Sequence, residues 1–261
     1  MPHRQNSEKP RSENRSKRQE RAERILDAAA ALVQRWGYNK TTIDDIAKQA
    51  GVAKGTIYLH WKTREALFQA LLTREYLTML QEFLQRLGSD PESATLHGIT
   101  RQAFLLSMTR PLVKGMMLGD TDMLGELAHR EYADPAVGTL PGGQVSRFIV
   151  GPQRRIEMGR TYIELLRSKG LVRTDMSIQA QIHMLLAISI GFLVADRFLP
   201  VEYKLSPGES ADLLAETAHR TFEPGEPVPF EKVQEVHTIF VQLLNQLIDA
   251  VKERIQREAE L

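Results

Sequence analysis

One stretch constrains the fold more than any other: Thr41 to Arg64, TTIDDIAKQAGVAKGTIYLHWKTR. Ile43, Ile46, Ala47 and Ala50 recur at helical spacing and predict a helix from Thr42 to about Ala50 with one apolar face. Thr42 is placed to cap it, since its hydroxyl can accept from the backbone N–H of Asp45 in a Ser/Thr-x-x-Asp/Glu start. Gly51 then supplies a left-handed turn that a residue with a Cβ resists. Val52 is the apolar plug behind the turn, and a second helix of about two turns is expected from Lys54 to His60. A short helix, a glycine turn and a short helix make the helix-turn-helix layout, whose second helix enters the major groove of DNA. That second helix displays Lys54, Thr56, Tyr58 and His60, which suit a polyanion better than a core.

Composition narrows the setting. The 261 residues are enough for one small and one larger domain. With no cysteine, disulfides, thiolate metal sites and cysteine nucleophiles are excluded. The polar opening MPHRQNSEKPRSENRSKRQ lacks the apolar stretch of a signal peptide. No run reads as long enough to span a bilayer, so no membrane contact and a soluble cytoplasmic protein are expected. The formal charge is only +1, but through Lys62 thirteen Lys and Arg face seven Asp and Glu. The basic excess therefore sits in the part with the DNA-reading pattern. Residues 1–18 are read as a disordered basic arm; a solvated tail and a source of phosphate or minor-groove contacts both fit it.

The wider pattern, from about Arg21 to Leu72, contains RILDAAAALVQRWGYNKTTIDDIAKQAGVAKGTIYLHWKTREAL. An apolar first helix, Gly37, the Thr-Thr pair, IA-x-x-AGV, KGT-x-Y and an aromatic before the fourth helix occur in order. This stretch resembles the amino-terminal domain of TetR/AcrR-type transcriptional regulators, over about the first quarter of the chain. The resemblance implies that Lys54, Gly55 and Thr56 approach base edges, that Thr42, Tyr58, Lys62 and Arg64 contact phosphates, and that His60 can do either. The chemistry agrees. Gly55 lets backbones come close, Thr56 offers a methyl and a hydroxyl, and Lys54 can donate to guanine O6 or N7. A phenol and cations suit phosphate oxygens, which hold register. Ile57 and Trp61 are expected to anchor the second helix instead. One departure is Ala53, where the family often has a serine that caps the recognition helix; the lost bond costs about 1 kcal/mol.

The resemblance also implies an all-α fold. A three-helix helix-turn-helix domain over residues 19–66 is followed by a larger helical effector-binding and dimerisation domain over 67–261. In the family the last two long helices form a four-helix dimer interface, which here nominates Leu185, Ile188, Phe240, Leu243 and Leu247.

Periodicity places the first helix at about Lys17–Trp36, with Ala22, Ile25, Leu26, Ala29, Leu32, Val33 and Trp36 as its buried stripe and Gly37 as its stop. The fourth follows a cap at Thr63 and runs to Leu87 through Leu67, Leu71, Tyr76, Leu80 and Leu84, bridging the domains. Further helices are expected over Pro91–Thr109, once or twice between Leu112 and Glu131, up to Lys169, and over 177–199, 209–221 and 230–258. The middle of 132–151 reads as a loop. The 177–199 helix is apolar on most of its circumference and needs burial on several sides. The last helix carries Val233, Val236, Phe240, Leu243, Leu244, Leu247, Val251 and Ile255, a stripe too apolar for water.

Phe104, Met108, Phe148, Tyr162 and Met184 are nominated as the lining of an effector pocket, though ordinary core accounts for the same spacing. Such a lining fits a small apolar or amphipathic effector. Arg154, Arg155 and Arg160 either neutralise an anionic effector or form a solvated face. Histidines 97, 129, 183, 219 and 237 show no H-x-x-x-H or H-x-H spacing, so no metal site and no cofactor are expected. No nucleophile elbow, Walker loop or dinucleotide fingerprint is present. The expectation is a homodimeric regulator that represses at a palindromic operator in double-stranded DNA and is released by a small effector. The alternative is the same head acting as an activator or controlled by a protein partner; an enzyme finds no catalytic constellation.

Overall fold

A computed structural model of the chain describes residues 9–128, 132–133, 148–150 and 152–260. Helix α1 (Lys9–Trp36) packs on α2 (Ile43–Ala50), α3 (Lys54–His60) and the start of α4 (Arg64–Leu87). Ile25, Leu26, Ala29, Leu32 and Val33 meet Ile43, Ile46, Ala47 and Ile57 over Leu67, Phe68 and Leu71, all buried. α1 begins at Lys9 rather than near Lys17. The apolar period starts later, but a nucleated helix propagates through polar residues without a buried face. The rest of the expected arm, residues 1–8, lies outside the described residues. The stripe also stops short of Trp36, which is 41% exposed. Gly37 turns the chain with φ +79, and Tyr38 takes the core position, its ring edge-on to Phe68 at 4.8 Å.

α4 runs the predicted length, with Thr63 accepting from the backbone N–H of Ala66. The apolar cluster under the reading head continues along it without a break into Leu106, Tyr162, Leu166, Phe222, Val236, Phe240 and Val251. The helix expected over 91–109 is split. Asp90 caps a 3-10 turn, Pro91–Ala94, and Thr95 then caps α5 (Leu96–Thr109) by accepting from Gly98 N–H. α6 (Pro111–Leu118) and α7 (Thr121–Leu124) follow, and a 3-10 turn at Gly125–Ala128 ends that run. The expected loop is flanked by a two-stranded antiparallel ladder, β1 (Tyr132–Ala133) with β2 (Phe148–Val150), its register broken by a bulge. The middle of that loop lies outside the described residues.

The remaining helices are α8 (Pro152–Lys169), α9 (Ile178–Val194), α10 (Pro207–Phe222) and α11 (Phe230–Glu260). α9 stops before the expected Leu199, where a 3-10 turn takes over at Ala195–Arg197. α11 lies along α4 and α8 and spends its apolar stripe there. Phe240 stacks 4.6 Å from Tyr162 and edge-on to Phe83 at 6.2 Å. Phe240 and Leu247, expected at a subunit interface, are therefore core residues, and Leu243 is half-buried beside them. The outer face of α11 is Gln234, Glu235, Thr238, Gln242, Asn245 and Asp249, all exposed.

α9 departs the other way. Only Gln181 and Leu193 are buried, Leu185 and Ile188 are half-buried against the core, and Met184, Leu186 and Ile190 are exposed. Ile178–Arg197 spans 20 residues at a mean hydropathy of 1.8, with 11% of that window buried. Contrary to the expectation from sequence, a helix among the described residues is long and apolar enough, by length and composition, to cross a membrane.

Candidate nucleic-acid interface and ligand sites

The reading head is built from local chemistry. Thr42 accepts from Asp45 N–H at 3.2 Å, and Asp45 Oδ2 in turn accepts from the Thr42 N–H at 3.2 Å, a closed capping box. The Thr42 hydroxyl also donates to that carboxylate at 2.6 Å, and these bonds hold the Asp45 carboxyl below its ordinary range. In the free protein its hydroxyl proton is thus directed at Asp45 and not outward. Gly51 sits at φ +65 and donates to the carbonyls of Ala47 and Lys48; Val52 N–H returns to Ala47 at 3.0 Å. α3 then starts from an extended Ala53 that makes no side-chain cap bond.

Ile57, fully buried, pins α3 and turns Lys54, Gly55, Tyr58 and Leu59 outward, with Trp61 half-buried on the core. A Cβ added at Gly55 would meet nothing within 4 Å, so that face is open to an approaching backbone. Lys54 Nζ lies 2.8 Å from Asp44 Oδ2, and the hydrogen bond and charge of Asp44 raise the lysine's pKa. The pair is exposed, so it competes weakly with a nucleic acid. Thr56 is half-buried at the edge of this face, while Lys62 is exposed beyond it. His60 is half-buried, and its pKa is lowered by that burial and by the cations of Arg18 and Arg21. Arg64 turns inward: its Nε donates to Thr41 O at 3.2 Å and its Nη2 to Tyr38 O. Its guanidinium stacks 3.8 Å from the Tyr38 ring, so it ties the α1–α2 connection to α4 instead of facing phosphate.

Three features were missed from sequence. Leu59 is 70% exposed, which its spacing of two from Ile57 on a helix already requires. Exposed Arg18 and Arg21 on α1 lie close enough to act on His60, extending the basic face. The head also touches the second domain away from α4: Tyr38 N–H donates to Met123 O at 2.7 Å. A Cβ on Gly37 would sit 2.5 Å from Asp122 O.

The nominated effector lining is scattered. Phe104 sits in a small second cluster with Leu193, Ala211 and Leu214, and Met108 packs against it. Tyr162 is buried elsewhere, its hydroxyl donating to Ala94 O at 2.5 Å, and burial holds its pKa well above the ordinary value. Met184 faces outward, 37% exposed, and the Phe148 side chain lies outside the described residues. The apolar cavity beside Met158, Tyr162, Phe240 and Leu243 holds about 40 Å³. Arg160 pairs with Glu164 at 2.8 Å on an exposed face, and the side chains of Arg154 and Arg155 lie outside the described ones.

A larger cavity, about 320 Å³, opens where α5 meets the end of α10, lined by Glu92, Thr95, His97, His219, Glu223 and Glu226 among others. Glu223 accepts from His97 N–H at 2.9 Å and lies 2.9 Å and 2.7 Å from the Nδ1 atoms of His97 and His219. Burial works to raise the Glu223 carboxyl; the bonds from His97 and His219 overcome it and hold it low. Histidine-to-histidine spacing does not show this group, because one imidazole comes from a distant helix and the i,i+4 partner of His219 is a carboxylate.

An exposed short helix locked by a glycine turn, with Lys54 on its outer face and Lys62 just beyond it, defines a helix-turn-helix DNA-binding head. The model of the tetR family of bacterial regulatory proteins matches residues 25–71. The chain is 27% identical over 157 residues to the uncharacterized HTH-type regulator YvkB of Bacillus subtilis, covering 58% of this chain and 70% of that one. It is 35% identical over 109 residues to the A-factor receptor protein of Streptomyces griseus, covering 39% of this chain and 38% of that one. The solved TetR-family structure of CprB from Streptomyces coelicolor aligns with a TM-score of 0.51 at 18% identity, over 89% of this chain and 98% of that one. Residues 25–71 therefore form a DNA-binding domain of the tetR family, and the described residues that follow are helical apart from one short ladder.

Proposed function

We propose that this regulator is a homodimeric repressor that reads a roughly palindromic operator and is released when its second domain takes up a small effector, working in the cytoplasm beside the DNA it controls. The observation that carries the reading is the outward face of α3, where Lys54, Gly55 and Tyr58 stand clear of the fold while Ile57 is fully buried. Lys54, Gly55 and Thr56 address base edges. Tyr58 and Lys62, with Arg18 and Arg21 on the same side, hold phosphates, and His60 can serve either.

The dimer is assigned to the open face of α9, formed by Met184, Leu186, Ala187, Ile190 and Gly191, all exposed. A second copy fits this face better than a bilayer does. The opposite side of the same helix is fixed to protein, with buried Gln181 accepting from Arg167 and donating to Arg173 O, both at 2.6 Å. A two-fold pairing of this helix buries both faces at once and sets two α3 helices for half-sites about 34 Å apart.

The effector is the part most changed by the structure. The apolar cavity beside Tyr162 and Phe240 is small, about 40 Å³. The polar cavity at His97 and Glu223 is about 320 Å³, within the range of small-ligand sites. The likeness to a protein named as a receptor supports a ligand-controlled second domain, while the small size of that apolar cavity keeps control by a protein partner as the second reading. Selection of bound duplexes from a random pool at a stated salt concentration tests the central claim. Enrichment of a palindrome with half-sites about one turn apart is expected; binding without enrichment would overturn sequence-specific reading.

A further inference from the structure

We propose that His97, His219 and Glu223 form a site for one divalent transition-metal ion of the zinc class. Two imidazoles and a carboxylate are the donor set that such ions take, and the chain brings them together from separate elements. His97 lies in the first turn of α5, His219 in the last turn of α10, and Glu223 is the residue that ends α10. One donor atom from each lies within 4.8 Å of the others. Both Nδ1 atoms are hydrogen-bonded to the same carboxylate at 2.9 Å and 2.7 Å, so protons stand where the ion would bind. A tetrahedral ion with bonds of about 2.0–2.1 Å needs its donors about 3.3 Å apart. The two histidine–carboxylate pairs must therefore open by about half an ångström, and the imidazoles settle at the same spacing from within the 4.8 Å that now bounds the three donors. His219 has room to do so, with its side chain 50% exposed.

The surroundings favour a cation over the anion that a histidine pair might otherwise attract. Glu92 and Glu226 line the same cavity, and the Thr95 hydroxyl stands 3.1 Å from His97 Nδ1. The His97 backbone N–H holds Glu223 Oε1 at 2.9 Å, which orients the carboxylate before any ion arrives. Three protein donors leave coordination for water from the cavity, and the exposed edge at His219 is the way in. Ligation would clamp the end of α10 to the start of α5, two helices that already pack against each other.

The proposal goes beyond the regulatory reading and stands without it, because the ion is measured on the protein alone. The full chain, free of any affinity tag and treated with chelator, is titrated with cobalt(II) and then with zinc(II) against a chromophoric competitor. One equivalent per chain is expected, with the intense visible absorption of cobalt in a low-coordinate site. His219→Ala, at a half-exposed helix end, should weaken binding at least about tenfold. Glu223→Gln should do the same at constant volume, while His183→Ala on α9 should leave it unchanged. Circular dichroism of His219→Ala establishes that it folds. Substoichiometric binding by the native chain, or equal affinity in folded His219→Ala, would overturn the site and leave a hydrogen-bonded helix junction.

Discussion

Arg64 and Lys62 stand two residues apart and carry the same charge, yet the structure gives them different work. Arg64 donates to the carbonyls of Tyr38 and Thr41 and covers the Tyr38 ring. Arg64→Ala is therefore expected to cost about 1.5–3 kcal/mol of stability, the range for charged hydrogen bonds. It should leave the salt dependence of DNA binding in the surviving folded protein unchanged. Lys62→Ala should do the reverse: an unaltered Tm, with the slope of log affinity against log salt reduced by about 1. Equal behaviour of the two variants in both assays would sink the distinction. His60 adds a pH dependence. Burial and the nearby cations Arg18 and Arg21 lower its pKa, so the free protein holds it neutral at pH 7. Phosphate beside it would raise that pKa, so binding takes up a proton and tightens as pH falls. The gain should level off once pH falls below the free protein's lowered value. Binding measured from pH 5.5 to 8 at fixed ionic strength should show this slope in the native chain and a flatter one in His60→Gln. At this scale the outward residues of α3 were legible because a helix period separates Lys54 and Tyr58 from Ile57. The roles of Arg64 and Thr42 were not. They depend on which carbonyl or carboxylate lies within reach, and periodicity carries no such information.

Elements end where a few neighbouring atoms decide the matter, and there the sequence is most readable. Thr42, Gly51, Thr63 and Ser177 all cap or stop helices through bonds to residues close by in the chain. Ala53 is the exception that can be repaired. Its backbone is extended, φ −71 and ψ 145, as a capping residue requires. Ala53→Ser should stabilise α3 by up to about 1 kcal/mol. In a chain of this size that raises Tm by about 2–4 °C; an unchanged or lower Tm would show that packing already settles the helix start. The element boundaries that sequence misplaced follow from contacts across the fold. The split at Thr95 lets the α5 start turn back to Glu223, and the exposure of Trp36 follows from Tyr38 filling its place. Gly37 shows both kinds of control. Its φ of +79 was expected for a helix stop, but the carbonyl of Asp122 against it was not. Gly37→Ala should cost about 1–2 kcal/mol for the left-handed backbone alone, plus the displacement of α7. A variant as stable as the native chain would show that the junction between head and second domain is loose.

For the whole molecule, the decisive question is what covers α9. Its apolar circumference was evident from sequence, but a periodic pattern cannot distinguish a helix buried by its own chain from one buried by another. The structure separates the two last long helices on this point. α11 turns its stripe inward and shows solvent a polar face, so Phe240→Ala should behave as a core truncation, costing about 3–5 kcal/mol without a specific effect on assembly. α9 keeps Met184, Leu186 and Ile190 exposed, beside a connection in which Phe198 and Val201 are each 80% exposed. Apolar side chains exposed together along one helix are the kind of surface that a partner covers. Ile190→Asp places a charge at its centre while leaving buried Gln181 and Leu193 untouched. The expected outcome in sedimentation is a dimer for the native chain and a folded monomer for the variant. Because two half-sites are then no longer gripped by one particle, the variant should bind a single half-site as the native chain's head does and lose the additional affinity of the palindrome. Flotation with lipid vesicles separates the rival occupant: a native chain that is monomeric in solution but floats, and an Ile190→Asp chain that does not, would assign the face to a membrane instead of a second copy.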